Sequence, residues 1–359
     1  MKSNINTEEF LNKILHIVTV AGRNKNAADE LCALLPSGAF DSITTDRAGN
    51  IILTKKCLRD GAPLLCIDAH FDQIGLIVRS IEEGGFVGVA PAGGLDARTL
   101  PAQQVTIHGC EAVGGVIIST PPHLRRRSDG DALTPIEELL IDTGYSKEEL
   151  SDKISIGDAI SFDFKFGQLA NDRVFGAGLD NKSCAAAAIL GALSLDREEM
   201  ACDLAILLSS AEEMGGFHGA NAGFELIRPD IAIVLDVEFA DCEDATYRGL
   251  PKLGGGPVIA HSALCDRHLV KHITDIAKKN EIPFTPLAWG TSLGTNGDIA
   301  STCACGISVA SLSLPLTSMH TCVESVSLQD IDALARLLAL ITKSDDLLKH
   351  TVVGKESGI

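Results

Sequence analysis

Apolar positions recur along this chain with two different periods. From Glu8 to Val18 the apolar residues Phe10, Leu11, Ile14, Leu15 and Val18 repeat at helical spacing. This predicts an amphipathic first helix with Thr7 as its N-cap. A second short helix is expected over Asn26 to Leu35, stopped by Pro36. DRAGN, residues 46–50, reads as a turn before the strand IILTK, and APLLCIDA is a continuous apolar run of buried-strand type.

From about residue 73 to 165 the runs are short and cut by glycines: GLIVRSI, GFVGVAPAG, QQVTIHG, EAVGGVIIS and DAISFDF. Only PIEELLID there has a helical texture. The pattern predicts a small β-rich, barrel-like domain at 73–165, inserted into a domain made of 1–72 and 166–359. Beyond 166, strands and helices alternate. SCAAAAILGALSL, HGANAGFELI, DRHLVKHITDIAKKNEI and SLQDIDALARLLALITK read as helices, the last with Ser327 as N-cap. CDLAILLSSAEE, IAIVLDV and ISVASLSLPL read as strands. The expected fold is α/β, with a mostly parallel central sheet flanked by helices.

Chemistry-bearing residues gather where predicted strands end: His70 and Asp72, Glu212 and Glu213, and Asp236. Asp180 in GAGLDNKS and His320 in LTSMHTCVE stand in loops beside such ends. Taken singly, each has a plain structural account. An Asp before a helix is an N-cap, a Glu-Glu pair is a solvated helix start, and a lone His is a satisfied polar residue. Together they place several carboxylates and two histidines at the edge where α/β proteins bind ligands. Such a concentration of charge is tolerable around metal ions. His70 and Asp72, two apart on an extended chain, point the same way, so one can ligate while the other orients it. In Glu212–Glu213 one carboxylate can ligate while its neighbour takes a proton from water. Mixed His and carboxylate donors suit Zn, Co or Mn better than Mg or Ca.

Composition narrows the class. Hydrophobic residues are 45% and charged residues 22%, and no apolar run reaches the ~20 residues of a membrane helix, so a soluble globular protein with no membrane partner is expected. The N-terminal stretch carries Glu8 and Glu9 and makes a poor signal peptide. Eleven scattered cysteines without a C-x-x-C pair read as reduced thiols in a cytoplasm. Cys303 and Cys305 have a spacing that could take a soft metal, but packing as small hydrophobes is the plainer account. A net charge of −18 argues against a nucleic-acid partner. The one basic cluster, Arg125–Arg127, reads as a solvated loop before a phosphate site.

AHFDQIG, GAGLDNKS, SAEEMGGFHGA, VLDV, GGGP and MHTCVE occur in the order found in the cocatalytic di-metal aminopeptidases that form tetrahedral dodecamers. That family includes glutamyl and deblocking aminopeptidases and relatives labelled endoglucanase. STPPHLRRR, LLIDTGYSKEEL and IGD also resemble its inserted β domain, and the resemblance runs from about residue 5 to about 345. It implies two divalent metal ions per subunit. His70 and Asp236 would ligate one, Glu213 and His320 the other, and Asp180 would bridge both. Glu212 would be the general base and Asp72 the support of His70. It further implies short peptides as substrates, and dimers formed through the inserted domain that assemble into a dodecamer.

The sequence departs from the family pattern at Gln73, Asn181, Lys182 and His218, in GTNGD (294–298), at Thr317 and Ser318, and at Cys322. Two other functions compete. A glycosidase needs two facing carboxylates about 5–9.5 Å apart and usually stacking aromatics, but aromatic residues are only 4% here, with one Trp. A non-peptidase, chaperone-like homologue would retain metal without hydrolysing peptides.

Overall fold

The computed structural model describes residues 5–21, 26–119, 133–241 and 249–350. Arg125–Arg127 and most of STPPHLRRR lie outside the described residues. Along the chain come α1 (Thr7–Leu15), α2 (Ala27–Leu34), β1 (Ser42–Thr45), β2 (Ile51–Lys55) and β3 (Leu64–His70). Then follow β4 (Gly75–Ile81), β5 (Val87–Ala92), β6 (Gln104–His108), β7 (Ala112–Ile118), β8 (Leu140–Asp142), α3 (Lys147–Ser151) and β9 (Ala159–Phe162). Next are β10 (Gly167–Leu169), β11 (Arg173–Gly176), α4 (Leu179–Leu193), β12 (Asp203–Ser209), α5 (His218–Ile227) and β13 (Ile231–Phe239). The last are β14 (Val258–Ser262), α6 (Arg267–Lys279), β15 (Thr285–Trp289), α7 (Gly297–Ala300), β16 (Ser308–Thr317), β17 (Glu324–Ser327) and α8 (Leu328–Thr342).

The large sheet runs β1-β2-β12-β3-β13-β16-β17-β11-β10, with β14 joined to β16 and β15 to β14. It is mixed, which corrects the expectation of a mostly parallel sheet. The four central strands β12, β3, β13 and β16 are mutually parallel. The flanking pairs β1–β2, β2–β12, β16–β17, β11–β17 and β10–β11 are antiparallel. Apolar continuity marks only the doubly covered centre, where all but the end residues of a strand are buried. On β3, Leu65, Ile67 and Ala69 join the core beneath α1, α4, α6 and α8, while Cys66 joins the one beneath α5 and α7. On β13, Ile231, Ile233 and Leu235 go to the first face and Ala232 and Val234 to the second. Period-two alternation between two apolar layers is what a sheet with helices on both sides requires.

Strands β4-β5-β8-β7-β6-β9 close into a barrel with its own apolar core, including Leu76, Val89, Ile107, Ile117 and Ile141. In β6, buried Val105 and Ile107 alternate with less buried neighbours, the pattern of a one-sided sheet. PIEELLID, expected to be helical, is instead a single 3₁₀ turn over Ile136–Glu138 followed by β8. Ile141 decides the matter: it lies opposite both Val87 and Ile117 and is fully buried. The helix of this region is α3, fixed by a capping box between Ser146 and Glu149.

Two caps also differ from expectation. Asn6, not Thr7, caps α1, its side chain accepting the Glu9 N–H at 2.9 Å, while the Thr7 hydroxyl donates to Asp332. Ser327 stands at the start of α8 but makes no capping bond. Instead Asp330 accepts the N–H groups of Gly254 and Gly256 at 2.8 and 2.7 Å. No described helix is long and apolar enough to cross a membrane.

Candidate metal centre and active site

The parallel centre of the sheet delivers the site at the carboxyl ends of its strands. His70 is the last residue of β3 and Asp72 follows it, both about 1% exposed. After β12 the chain turns through Ala211, at φ 59°, and presents Glu212 and Glu213. Asp236 is on β13 itself. After β16 the chain reaches His320, at φ 60°. Asp180 enters from α4, just past Gly178 at φ 75°.

All of these residues converge. His70 Nε2 lies 3.0 Å from Asp180 Oδ1, 3.6 Å from Asp236 Oδ1 and 4.0 Å from Glu212 Oε2. His320 Nε2 lies 3.6 Å from Asp180 Oδ2 and 3.6 Å from Glu213 Oε2. Asp180 thus meets one histidine with each oxygen. One ligand atom each from His70, Asp180 and Glu213 falls within 4.8 Å of the others. Glu213 Oε1 is buried with no hydrogen-bond partner. A buried carboxylate oxygen left without a donor, inside a His and carboxylate set, fits a divalent cation.

The electrostatics point the same way. Burial, and then the surrounding carboxylates, push the Glu212 carboxyl up to about 8 and Glu213 higher still, with the His70 charge offsetting only part of this. Burial also raises Asp236. Burial alone would lower the His70 imidazole, but hydrogen bonding to Asp180, Asp236 and Asp72 outweighs it and raises it well above the usual value. Too much negative charge shares too little solvent here, and positive charge relieves it.

Asp72 faces the inner nitrogen of His70 and holds a second part of the site as well. The Asp72 atom nearest His70 Nδ1 is its main-chain oxygen at 3.1 Å, with the carboxylate at 3.7 Å. The carboxylate also accepts the N–H groups of Glu212 and Glu213, one on each oxygen, both at 3.1 Å. Glu324, which sequence reasoning missed, does the same across the site. Its two oxygens accept the N–H of Asp180 at 3.0 Å and of His320 at 3.3 Å. It is 1% exposed, and burial followed by the Asp180 charge holds its carboxyl well above the usual range. A lone acid in the otherwise uncharged run CVESV was the available signal.

The departures from the family pattern acquire partners. Lys182, fully buried, donates to Ile17 O at 2.6 Å and to Gln73 Oε1, so two of them satisfy each other. Burial brings the Lys182 ammonium down to about 7. Asn181 donates to Leu235 O at 2.8 Å. Asn296 of GTNGD donates to buried Asp68 and to Ser209, both at 2.9 Å. Cys322 packs into the barrel core, and His218 is exposed at the start of α5.

A cavity of about 390 Å³ opens onto the centre. Glu212 lines it, and Glu213 does not. Its outer wall includes Glu238, Phe239, Trp289, Leu293 and Met319. Burial raises the Glu238 carboxyl to about 7.

Residues 49–337 match the M42 glutamyl aminopeptidase family. The chain belongs to the M42 glutamyl aminopeptidase family. A lysyl aminopeptidase of Pyrococcus furiosus is 30% identical over 333 residues, covering 92% of this chain and 94% of that protein. The putative aminopeptidase FrvX of Escherichia coli is 28% identical, covering 92% and 93%. Among solved structures, aminopeptidase APDkam598 of Desulfurococcus kamchatkensis superposes with a TM-score of 0.87 at 26% identity, over 97% of this chain and 98% of that one. The Pyrococcus horikoshii TET1 peptidase, which can assemble into a tetrahedron or a large octahedral shell, gives 0.81 at 28% identity, over 94% and 99%. The M42 assignment and these relatives support an aminopeptidase, and hence a hydrolase.

Proposed function

We propose that this M42 chain is a metal-dependent aminopeptidase that removes N-terminal residues from short peptides. The carrying observation is the convergence of His70, Asp180 and Glu213 around the unpartnered Glu213 Oε1. His70, Asp180 and Asp236 would hold one divalent ion, and Asp180, Glu213 and His320 a second, with Zn, Co or Mn suited to the donors. When bound, such ions acidify water and polarise the scissile carbonyl.

Glu212 is the general base. It takes a proton from the attacking water and returns it to the departing amine. Its place on the cavity wall, beside the enclosed Glu213, supports this division of labour. Asp72 holds the main chain of both glutamates and so fixes their carboxylates relative to one another.

The barrel strands supply the inserted domain, 73–165, between the two parts of a catalytic domain, 1–72 and 166–359. Subunits would pair through it, and dimers would build a dodecamer in the cytoplasm. The assembly of the TET1 relative supports that proposal.

The test uses chelator-stripped protein and alanyl- and leucyl-p-nitroanilide, with N-acetylated versions as controls. Adding back Zn, Co or Mn should restore hydrolysis of the free-amine substrates alone. Silence on every free-amine substrate with metal shown to be bound would overturn the assignment.

A further inference from the structure

We propose that the cavity selects a cationic N-terminal residue, lysine or arginine, and that the Glu238 carboxylate recognises it. This rests on the aminopeptidase assignment and names its preferred substrate. The names of the relatives leave the matter open, since the family is called glutamyl and the Pyrococcus furiosus relative lysyl.

Glu238 stands on β13 two residues beyond Asp236. Alternate strand residues share a face, about 6.6 Å apart. Asp236 meets His70 at the centre, and Glu238 lies one pleat farther along the same cavity. A peptide whose α-amino group sits at the centre must send its first side chain along a neighbouring wall. A four-carbon lysine stem suits a span of this order.

The chemistry of that wall is divided. Phe239, Trp289, Leu293 and Met319 offer apolar surface to a methylene stem. Glu238 puts a carboxylate among them. It is only 7% exposed, and one oxygen, Oε1, accepts the N–H of Phe239 at 3.0 Å. No lysine, arginine or histidine compensates it among the described residues. The carboxylates of the centre face His70, His320 and one another within about 4 Å, but Glu238 has no ion pair of any kind there. A buried carboxylate without a counter-charge is costly to keep. A substrate ammonium or guanidinium supplies that charge, while an acidic side chain would meet repulsion and a plain aliphatic one would leave the carboxylate unpaired.

The test compares kcat/KM of the metal-restored full-length enzyme on lysyl-, norleucyl- and glutamyl-p-nitroanilide. Norleucine has the lysine stem without the ammonium, so the ratio isolates the charge. Lysine should exceed norleucine by about tenfold or more, with glutamate last. Glu238→Gln should bring the lysine-to-norleucine ratio to within about threefold, and Glu238→Lys should place glutamate above lysine. Ratios within one variant are independent of how much folded enzyme each preparation holds. Norleucine matching lysine in the unaltered enzyme would overturn the pocket assignment and leave the aminopeptidase standing. A lysine preference that survives Glu238→Gln would overturn the role of Glu238. Silence on all three substrates with metal bound would overturn the aminopeptidase assignment, and this inference with it.

Discussion

His70 and His320 approach the two oxygens of Asp180 from opposite kinds of backbone. His70 ends a central strand, and its side chain is 2% exposed. His320 sits in a loop at φ 60°, and its side chain is 44% exposed. The same contrast divides the whole centre. His70 and Asp236 are held by central strands paired on both sides, so their positions follow from the sheet register. Asp180 stands at the non-helical start of α4, and Glu212, Glu213 and His320 stand on turns, where register says nothing. Two buried carboxylates take over: Asp72 grips the main chain of Glu212 and Glu213, and Glu324 that of Asp180 and His320. A site assembled from loops is thus fastened to the sheet by charge-assisted hydrogen bonds rather than by packing.

The largest effect should come from breaking the junction of the halves. Asp180→Ala removes the carboxylate that both histidines face. It should cost more than about 100-fold in metal affinity, the upper end of what outer partners of a metal site cost. Elemental analysis after dialysis checks it, and full metal retention would count against a shared centre. A purely structural change in the strand half should behave otherwise. Ile233→Ala, at a fully buried position of β13, should lower stability by about 2–5 kcal/mol while metal per folded molecule stays constant. Denaturant unfolding and metal analysis of the folded fraction separate the two.

The clamps sharpen the contrast further. Glu324→Gln keeps the shape but replaces one acceptor with a donor facing an N–H group. It should weaken metal binding about 10-fold, within the range for supporting groups. If titration with Zn or Co finds both metals bound as in the unaltered chain, the loop half does not depend on Glu324. The smallest effect should come from the barrel side. A Cβ at Gly94 would stand 3.0 Å from His320 Nδ1, so Gly94→Ala should displace that ring slightly and raise KM about two- to threefold. An unchanged KM would mean that the His320 loop yields freely.

What the sequence disclosed follows the same division. His70 and Asp236 were legible because the buried run LLCIDA leads straight into His70 and the buried run IAIVLDV carries Asp236 next to its end. Asp180 and His320 carried no local signal beyond a capping-type Asp and a loop His, and only the ordered motifs of the family resemblance gave them roles. Glu238 carries no such signal because the apolar run IAIVLDV stops at Val237, although the period of two puts it on the face of Asp236. The antiparallel margins of the sheet, and β8 within PIEELLID, rest on pairing between distant segments. Ile141 is a strand residue because Val87 and Ile117 lie beside it, and no window of local sequence contains that fact.

The most direct test concerns the two adjacent glutamates. Glu212→Gln and Glu213→Gln are compared for bound metal by elemental analysis and for turnover of leucyl-p-nitroanilide. The expected result is that Glu212→Gln keeps its metal and loses about 100-fold or more in kcat, while Glu213→Gln loses metal as well as turnover. Near-normal turnover by Glu212→Gln, with stray unaltered enzyme excluded, would contradict the account.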